Sequence, residues 1–336
     1  MTTSAPAGPS QRQVLLSTPF TDQKPGTSGL RKSSKQFEQP NYLESFIEAI
    51  FSTLPGVQGG TLVLGGDGRY GNRRAIDVIL RMGAAHGLNR VITTTNGVLS
   101  TPAASHLIRS NKAIGGIILS ASHNQGGPDG DFGVKVNGAN GGPAPESLTN
   151  AIYARTQTLE KYSLVDCPEI PLNQPGQHAI GSMQVDVIDG VDDYVTLMQK
   201  LFDFDSIADL IRNDFPIAFD AMHAVTGPYA KRILEGMLGA STGTVRNGIP
   251  LEDFGGGHPD PNLTYAHELA DLLLKSDNYR FGAACDGDGD RNMILGRGCF
   301  VNPSDSLAIL TANAELAPAY ANGLSGVARS MPTSAA

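Results

Sequence analysis

The sequence predicts an α/β fold of consecutive domains, in which mixed, mainly parallel sheets are flanked by helices. Three apolar runs are typical of buried strands: Thr61 to Gly65, Gly115 to Leu119 and the run from Phe281. Each opens into a glycine-containing loop, and helical patterns alternate with the strands. In such sheets, ligands bind outside the carboxyl ends of the strands. The chain of 336 residues is long enough for about two such domains.

The N-terminal segments contain one clear helix. Residues 1–13 are polar and are predicted to be a disordered tail, and Thr21 to Lys32 is a polar loop that contains glycine. Asn41 and Glu44 have the spacing of a capping box, which predicts the start of a helix. The apolar face of this helix consists of Phe46, Ile47, Ile50, Phe51 and Leu54.

Residues 66–71, Gly-Asp-Gly-Arg-Tyr-Gly, lie between the Thr61 strand and a helical pattern. This is the dinucleotide-binding fingerprint in strand-loop-helix context, so it makes an NAD-dependent dehydrogenase an alternative function. The fingerprint also requires an acidic residue about 20 positions later, at the end of the next strand, to bind the ribose. The next strand, Val91 to Thr93, continues into Thr-Thr-Asn-Gly without Asp or Glu, which weakens this alternative.

The later segments keep the alternation of strands and helices. We predict helices near Pro102 to Ser110, Pro145 to about Tyr162, Asp192 to Phe202, Tyr229 to Leu238 and Tyr265 to Lys275; strands at Val134 to Asn137, Pro216 to Ala221, Met293 to Leu295 and Phe300 to Val301; and a loose stretch from Cys167 to Met183. The C-terminal residues hold an apolar helix, Ser304 to Leu316, and a strand start, Gly326 to Arg329. Because one helix and one strand cannot bury their apolar faces alone, we expect the chain to stop inside a third domain.

The apolar run that ends at Leu119 is followed by Ser-Ala-Ser-His-Asn, residues 120–124, and by a glycine-rich loop. A hydroxyl beside an imidazole, with Lys135 downstream, suits phosphoryl transfer, in which positioning and charge compensation supply most of the catalysis. The alternative is an ordinary turn after a strand, because Ser, Asn and Gly are common in turns. A second stretch favours the catalytic interpretation.

This second stretch places three carboxylates at alternate positions, Asp286, Asp288 and Asp290, with glycines between them. Carboxylates this close repel one another unless a cation lies among them, and a few carboxylates plus a phosphate are typical ligands of Mg²⁺. A calcium-binding helix-loop-helix begins similarly but needs Gly at its sixth position and Glu at its twelfth. Those positions hold Arg291 and Arg297, which excludes the calcium pattern. An acidic surface turn is the remaining alternative.

Composition limits the class of protein. A net charge of -8 and the lack of a Lys/Arg run argue against a nucleic-acid partner. The polar N-terminus is not a signal peptide, and no apolar run is long enough to span a membrane. The three cysteines lack metal-type spacing, which favours a reducing, cytoplasmic location.

Taken together, the motifs resemble those of the α-D-phosphohexomutase family. In order, they are Lys-Pro-Gly-Thr-Ser-Gly-Leu-Arg-Lys, Gly-Gly-Asp-Gly-Arg, Ser-Ala-Ser-His-Asn, Gly-Asp-Phe-Gly-Val-Lys, His-Pro-Asp-Pro-Asn-Leu, Asp-Gly-Asp-Gly-Asp-Arg and Ala-Arg-Ser-Met-Pro-Thr-Ser. The resemblance implies a four-domain α/β enzyme that interconverts glucose 1-phosphate and glucose 6-phosphate through glucose 1,6-bisphosphate, with Mg²⁺ and a phosphoserine. It implies domain I over residues 14–192, domain II over 193–303 and an incomplete start of domain III over 304–336.

The resemblance also implies roles for individual residues. Ser122 is the phosphoserine, and Asp286, Asp288 and Asp290 bind Mg²⁺ together with its phosphate. Substrate contacts come from Ser122, Asp290 and three cations: Arg31, Lys135 and Arg291. Either His123 or Lys135 is the acid-base group, and because neighbours on an extended chain point in opposite directions, contact between His123 and Ser122 is not assumed.

The sequence departs from the family pattern in two respects. Gln125 stands where the family usually has Pro after Ser-His-Asn, which frees a backbone N-H and loosens the loop. The sugar-recognition loop of the third domain and the phosphate-binding fourth domain are also absent from these 336 residues. We therefore expect the chain alone to be poorly active. A non-catalytic remnant that binds Mg²⁺ or a phosphosugar is the alternative from a different functional class.

Overall fold

The structure, a computed structural model, describes residues 11–26, 28–329 and 333–334. It divides into two compact units, Met1–Gly190 and Val191–Ala336, so the division falls just before the predicted domain boundary at 192. Most of the predicted disordered tail lies outside the described residues. Residues 11–13 are not disordered as predicted, because they belong to a strand that pairs with residues 164–166.

The first unit contains a seven-stranded sheet and a two-stranded ribbon. The strands are β1 (Gln11–Leu16), β2 (Leu30–Ser33), β3 (Thr61–Gly66), β4 (Arg90–Thr94), β5 (Gly115–Leu119), β6 (Asp131–Gly138), β7 (Lys161–Asp166), β8 (Gly176–Ile180) and β9 (Met183–Ile188); the helices are α1 (Ser34–Phe37), α2 (Tyr42–Thr53), α3 (Asn72–Ala85), α4 (Thr101–Ser110) and α5 (Glu146–Thr156), with a 3-10 turn at Thr95–Gly97. The sheet order is β2-β6-β5-β3-β4-β9-β8, and β1 pairs with β7. The central pairs are parallel and the outer pairs antiparallel, which confirms a mixed α/β architecture.

Asn41 does not form the predicted capping box. Its backbone is left-handed, with φ at 66°, and its side chain makes no capping hydrogen bond. Instead, its Nδ2 donates to the carbonyl of Leu16 at 3.4 Å, and its Oδ1 accepts from the hydroxyl of Tyr162 at 3.1 Å. Both partners belong to the β1-β7 ribbon, which was not predicted, so long-range contacts replace the local cap.

The second unit is built on a five-stranded sheet in the order β11-β10-β12-β13-β14. Its strands are β10 (Ile217–Asp220), β11 (Val245–Arg246), β12 (Phe281–Cys285), β13 (Asn292–Gly296) and β14 (Cys299–Val301); its helices are α6 (Asp192–Leu201), α7 (Phe204–Arg212), α8 (Thr226–Ala230) with a π-helical continuation at Lys231–Met237, α9 (His267–Leu274) and α10 (Ser306–Ala312), with 3-10 turns at Phe254–Gly256, Ala314–Leu316 and Pro318–Tyr320. Strand β10 lies parallel to β11 and β12, whereas β13 is antiparallel to both of its neighbours.

Several predicted segments differ from the structure. The helix predicted to reach Tyr162 ends at Thr156, because the chain there turns into β7. The predicted loose stretch contains β8, and α7 was not predicted. Residues 326–329 are not the predicted strand, since they lie outside the named strands of the described chain. Among the described residues, no helix combines the length and the apolar character that a membrane crossing requires.

Candidate active site

Ser122 lies in the loop that connects the antiparallel neighbours β5 and β6, residues 120–130, here called the serine loop. The residue is fully buried, and its backbone is in the left-handed region, with φ at 57°. His123 beside it is half-buried. The chain at Ser122 is therefore not extended, so the side-chain alternation of an extended strand does not determine where His123 points.

Asp67 and Ser120 support Ser122 from the ends of two neighbouring parallel strands, β3 and β5. The Ser120 hydroxyl donates to Asp67 Oδ2 at 2.5 Å, and its oxygen accepts the backbone N-H of Ser122 at 2.7 Å. All three residues are fully buried. Asp67 and Ser120 meet because the register places Gly66 opposite Leu119, so the next residue on each strand is also a neighbour.

Arg69 joins the β3-α3 turn to the serine loop. Its Nε lies 3.0 and 2.9 Å from the two carboxylate oxygens of Asp67, and its Nη2 forms an ion pair with Asp67 Oδ2 at 2.9 Å. Nη2 also donates to the carbonyl of Ser122 at 2.7 Å, and Nη1 donates to the carbonyls of Asn124 and Asp131 at 3.4 and 2.9 Å. Arg69, which forms a fully buried ion pair with Asp67, therefore donates hydrogen bonds near both ends of the loop that carries Ser122.

In the same turn, backbone N-H groups that a dinucleotide site would use already have partners within the protein. Such a site offers backbone N-H groups to a pyrophosphate. In this chain the N-H of Asp67 donates to the carbonyl of Leu119, and the N-H of Arg69 donates to the Asp67 carboxylate. The Gly-Asp-Gly-Arg motif was recognised in the sequence, but no role was predicted for its charged residues. Asp67, Arg69 and Ser120 were not predicted as functional candidates, because no local pattern shows that Arg69 contacts carbonyls 53 to 62 positions away.

Arg31 and Lys135 lie on one face of the β2-β6 pair. Arg31 is the cross-strand partner of Gly133, and Lys135 follows two positions later on β6, so their side chains leave the same face as diagonal neighbours. Lys135 is buried, whereas Arg31 is half-buried. Gly133 also receives the N-H of Ser120 on its carbonyl at 2.9 Å. The structure thus brings two of the predicted cations to one face of the β2-β6 pair, in which β6 follows the serine loop.

In the second unit, the three aspartates lie in the connection between β12 and β13, residues 286–291, here called the metal loop. One oxygen of each carboxylate lies within 4.8 Å of the others, and Asp286 and Asp288 are fully buried. Asp286 Oδ1 accepts the backbone N-H groups of Asp290 and Arg291 at 3.1 and 3.0 Å. Gly289 has φ at 75°, a conformation that favours glycine, so the turn requires this spacer.

Charges around the metal loop are partly compensated. Arg291 Nε lies 3.4 Å from Asp286 Oδ2 and 3.6 Å from Asp290 Oδ1, although the Arg291 side chain is 47% exposed. Burial, reinforced by the adjacent Asp286 carboxylate, raises the pKa of the Cys285 thiol to about 12. This thiol is therefore protonated near neutral pH, so it adds no negative charge beside the loop.

The donor set of the metal loop fits a hard divalent cation. Three carboxylates offer oxygen ligands at short mutual distances, and two of them are buried, where unpaired negative charge is costly. Mg²⁺ is usually bound by a few such groups plus water or phosphate. The loop connects two strands, which also agrees with the exclusion of a helix-loop-helix calcium site.

Comparisons with known proteins identify the family. Models of the phosphoglucomutase/phosphomannomutase α/β/α domains I and II match residues 22–163 and 192–298, which include Ser122 and the metal loop. The chain belongs to the phosphoglucomutase/phosphomannomutase family. Within this family, it is 57% identical to the phosphoglucomutase of Rhizobium radiobacter over 324 residues, which are 96% of this chain and 60% of that protein. It is 52% identical to the chloroplastic phosphoglucomutase 1 of Marchantia polymorpha, covering 95% of this chain and 49% of that protein.

Solved structures of the family give the same result for the fold. The crystal structure of parafusin, a phosphoglucomutase from Paramecium in its open form, matches with a TM-score of 0.91 at 50% identity and covers 96% of this chain and 61% of that one. A phosphomannomutase homologue from Thermus thermophilus matches with a TM-score of 0.65 at 26% identity, covering 85% of this chain. The chain thus spans between about half and three fifths of the length of these family members.

Proposed function

We propose that this chain carries out phosphoglucomutase chemistry, with Ser122 as the phosphorylated residue and the metal loop as the Mg²⁺ site. The observation that carries the proposal is the 57% identity to a phosphoglucomutase over 96% of the chain. Two observations support it: Ser122 is buried with its carbonyl hydrogen-bonded to Arg69, and the carboxylate oxygens of the metal loop are clustered. The substrates would be glucose 1-phosphate and glucose 6-phosphate, with glucose 1,6-bisphosphate between them.

The proposed transfer moves one phosphoryl group between Ser122 and the sugar. Phosphorylated Ser122 loses its phosphoryl group when the bond between Oγ and phosphorus breaks and a sugar hydroxyl oxygen bonds to phosphorus. The sugar hydroxyl gives its proton to a base, for which His123 and Lys135 are the candidates, and the departing Oγ takes up a proton, so that Ser122 ends as a hydroxyl. The resulting bisphosphate then returns its other phosphoryl group to Ser122 by the reverse step, so no net phosphate is consumed.

The charged residues have distinct proposed roles. Arg31 and Lys135, on one face of the β2-β6 pair, would compensate the charge on the transferring phosphoryl group and the substrate. Asp290 and Arg291 would contact substrate as well, since they are the more exposed members of the metal loop. Mg²⁺ bound by Asp286, Asp288 and Asp290 would spread phosphate charge. That the Ser122 phosphate also binds this ion stays a prediction, as does the cytoplasmic location.

Intact-mass analysis tests the proposal directly. The 336-residue chain would be incubated with glucose 1,6-bisphosphate and Mg²⁺, and the product digested to locate the modification. We expect one added phosphoryl group on Ser122, and none in Ser122→Ala. A chain that stays unmodified while it binds Mg²⁺ would instead support the non-catalytic alternative. Because the relatives are longer, a coupled assay of glucose 6-phosphate formation is a separate measurement, and we expect it to be slow relative to phosphate exchange.

A further inference from the structure

The turn between β3 and α3 has no role in the chemistry proposed above, although it contains a fully buried ion pair between Asp67 and Arg69. We propose that Asp67, Arg69 and Ser120 are positioning residues that fix the backbone of Ser122 for phosphoryl transfer. This inference rests on the proposed function, because it assumes that Ser122 is the residue that carries the phosphate.

Ser122 needs external support because its backbone conformation is unfavourable. Only glycine adopts positive φ easily, and other residues persist there only when their surroundings over-determine the geometry. Both backbone groups of Ser122 are held. Its N-H donates to Ser120 Oγ at 2.7 Å, and its carbonyl accepts from Arg69 Nη2 at 2.7 Å.

Both of these supports end at the same carboxylate. Ser120 donates its hydroxyl proton to Asp67 Oδ2, so its oxygen is oriented to accept from Ser122. Arg69 contacts both oxygens of Asp67 through Nε, which fixes the plane of the guanidinium. Asp67 therefore positions both partners of Ser122: Arg69 Nη2, which donates to its carbonyl, and Ser120 Oγ, which accepts its N-H.

The contacts of Arg69 separate positioning from phosphate binding. All three of its nitrogens have protein oxygen partners: Nε at Asp67, Nη1 at the carbonyls of Asn124 and Asp131, and Nη2 at Asp67 and Ser122. A guanidinium whose donors are used in this way acts on phosphate only through the loop that it holds. Arg31 and Lys135 remain the candidates for direct contact with phosphate.

The geometry requires the planar fork of arginine. A lysine keeps the positive charge but offers donors from a single point, so it cannot contact Asp67 and carbonyls on both sides of the loop together. Arg69→Lys is thus expected to lower the rate of Ser122 phosphorylation by about a hundredfold, the loss associated with misplacing a reacting group by roughly 1 Å. The concentration of glucose 1,6-bisphosphate that gives half the maximal rate should change little.

Ser120 provides the variants that distinguish positioning from folding. Ser120→Ala removes one hydroxyl and no charge, so it should fold but lose most of the phosphorylation rate, whereas Ser120→Thr keeps the hydroxyl and should recover a large part of it. Ser45→Ala is the matched control, since Ser45 is equally buried in the same unit and its hydroxyl bonds to Ser17 at 2.7 Å. It should keep the wild-type rate.

The measurements are the single-turnover rate of Ser122 phosphorylation at saturating glucose 1,6-bisphosphate, the half-saturating concentration and the melting temperature. If the wild type acquires no phosphate, the proposed function fails, whatever the variants do. If the wild type reacts and Ser120→Ala reacts equally fast, positioning by this network is wrong. Unfolding of Ser120→Ala where Ser45→Ala stays folded would also overturn it, because the network would then be a requirement of folding.

Discussion

Arg69 donates through Nη2 to the backbone carbonyl of Ser122 at 2.7 Å, although the two residues are 53 positions apart and belong to different loops. The distance between them along the chain matters because the serine loop alone does not favour the left-handed conformation of Ser122. The conformation is stabilised by the neighbouring β3-α3 turn through a buried ion pair. The geometry of the proposed nucleophile is thus a property of two adjacent parallel strands rather than of its own motif.

The metal loop gives the first prediction. Replacing Asp288 with Asn removes one of three clustered charges without changing the size of the side chain. We expect Mg²⁺ affinity to fall by at least about tenfold, or ~1.4 kcal/mol, because hard cations need the carboxylate charge. Isothermal titration calorimetry measures the change.

The control for this variant is Asp271→Asn on α9, an exposed aspartate that pairs with Lys275 at 2.7 Å. It removes the same charge from the same unit outside the cluster, so its Mg²⁺ affinity should match that of the wild type. Equal affinity in Asp288→Asn and the wild type would show that the cluster is an acidic turn and not a metal site.

The sequence predicted the elements that carry the candidate site more accurately than the elements around it. Strands β3 and β5 were predicted to within one residue, because their apolar runs are buried and end in glycine or serine. The carboxylates of the metal loop were selected from their spacing alone, and the structure brings one oxygen of each within 4.8 Å of the others. That they bind a cation stays a prediction. These are local signals, and a single sequence contains them.

The features that were missed depend on partners distant in the chain. Strand β1 is exposed along its length and is defined by pairing with β7, 145 to 155 positions away. Asn41 has the local spacing of a cap, but Leu16 and Tyr162 bind its side chain instead. The role of Arg69 likewise depends on three carbonyls that only the folded sheet brings together.

Glu48 gives a prediction for the pH dependence of stability. Burial alone would raise the pKa of its carboxyl, but the hydrogen bond and charge of His86, with the N-H of Ser163, outweigh burial and lower the pKa below its usual range. The folded state therefore favours the ionised form of Glu48. The resulting stabilisation is fully present above the unfolded pKa of about 4.3, and it is lost as pH falls through the lower pKa of the folded state. Glu48→Gln should lower the free energy of unfolding at neutral pH by about 1–3 kcal/mol, and the difference from wild type should narrow in acid.

Urea unfolding of the two proteins across this pH range measures the effect. Glu44→Gln, on the same helix, controls for the general loss of a carboxylate, since Glu44 pairs with the more exposed Arg74 at 3.3 Å. A difference between Glu48→Gln and the wild type that stays constant down to acid pH would contradict the proposed contribution of Glu48.

Gln125 is exposed and stands where the family pattern has proline. Its carbonyl accepts the N-H of Asp131 at 2.9 Å, and a proline keeps this carbonyl. Gln125→Pro should therefore stiffen the serine loop without abolishing phosphorylation of Ser122. It should also raise the melting temperature, because proline restricts the unfolded chain. Phosphopeptide mapping and thermal melting measure both effects, with Gln125→Ala as the control for loss of the side chain. Loss of Ser122 phosphorylation in the proline variant alone would mean that residue 125 needs a backbone conformation or N-H that proline lacks.

Gly133 gives the prediction that tests the support of the serine loop from its other side. A β-carbon at this position would lie 2.1 Å from the carbonyl oxygen of Ser120 and 3.2 Å from the α-carbon of Ala121, so Gly133→Ala must displace the backbone that leads into Ser122. Overpacking of this kind costs about 1–3 kcal/mol of stability. We also expect Ser122 phosphorylation to slow, because the displaced residue is the acceptor for the Ser122 N-H.

Gly138→Ala is the matched control for Gly133→Ala, since it lies on the same strand and its added β-carbon would meet only Asn140 Oδ1, at 3.5 Å. Both variants add one methyl group to β6, so differences between them report the contact with Ser120. Gly138→Ala should keep the wild-type melting temperature and phosphorylation rate. If Gly133→Ala is equally harmless, the serine loop tolerates displacement at Ser120, and its geometry does not depend on the close packing of β5 against β6.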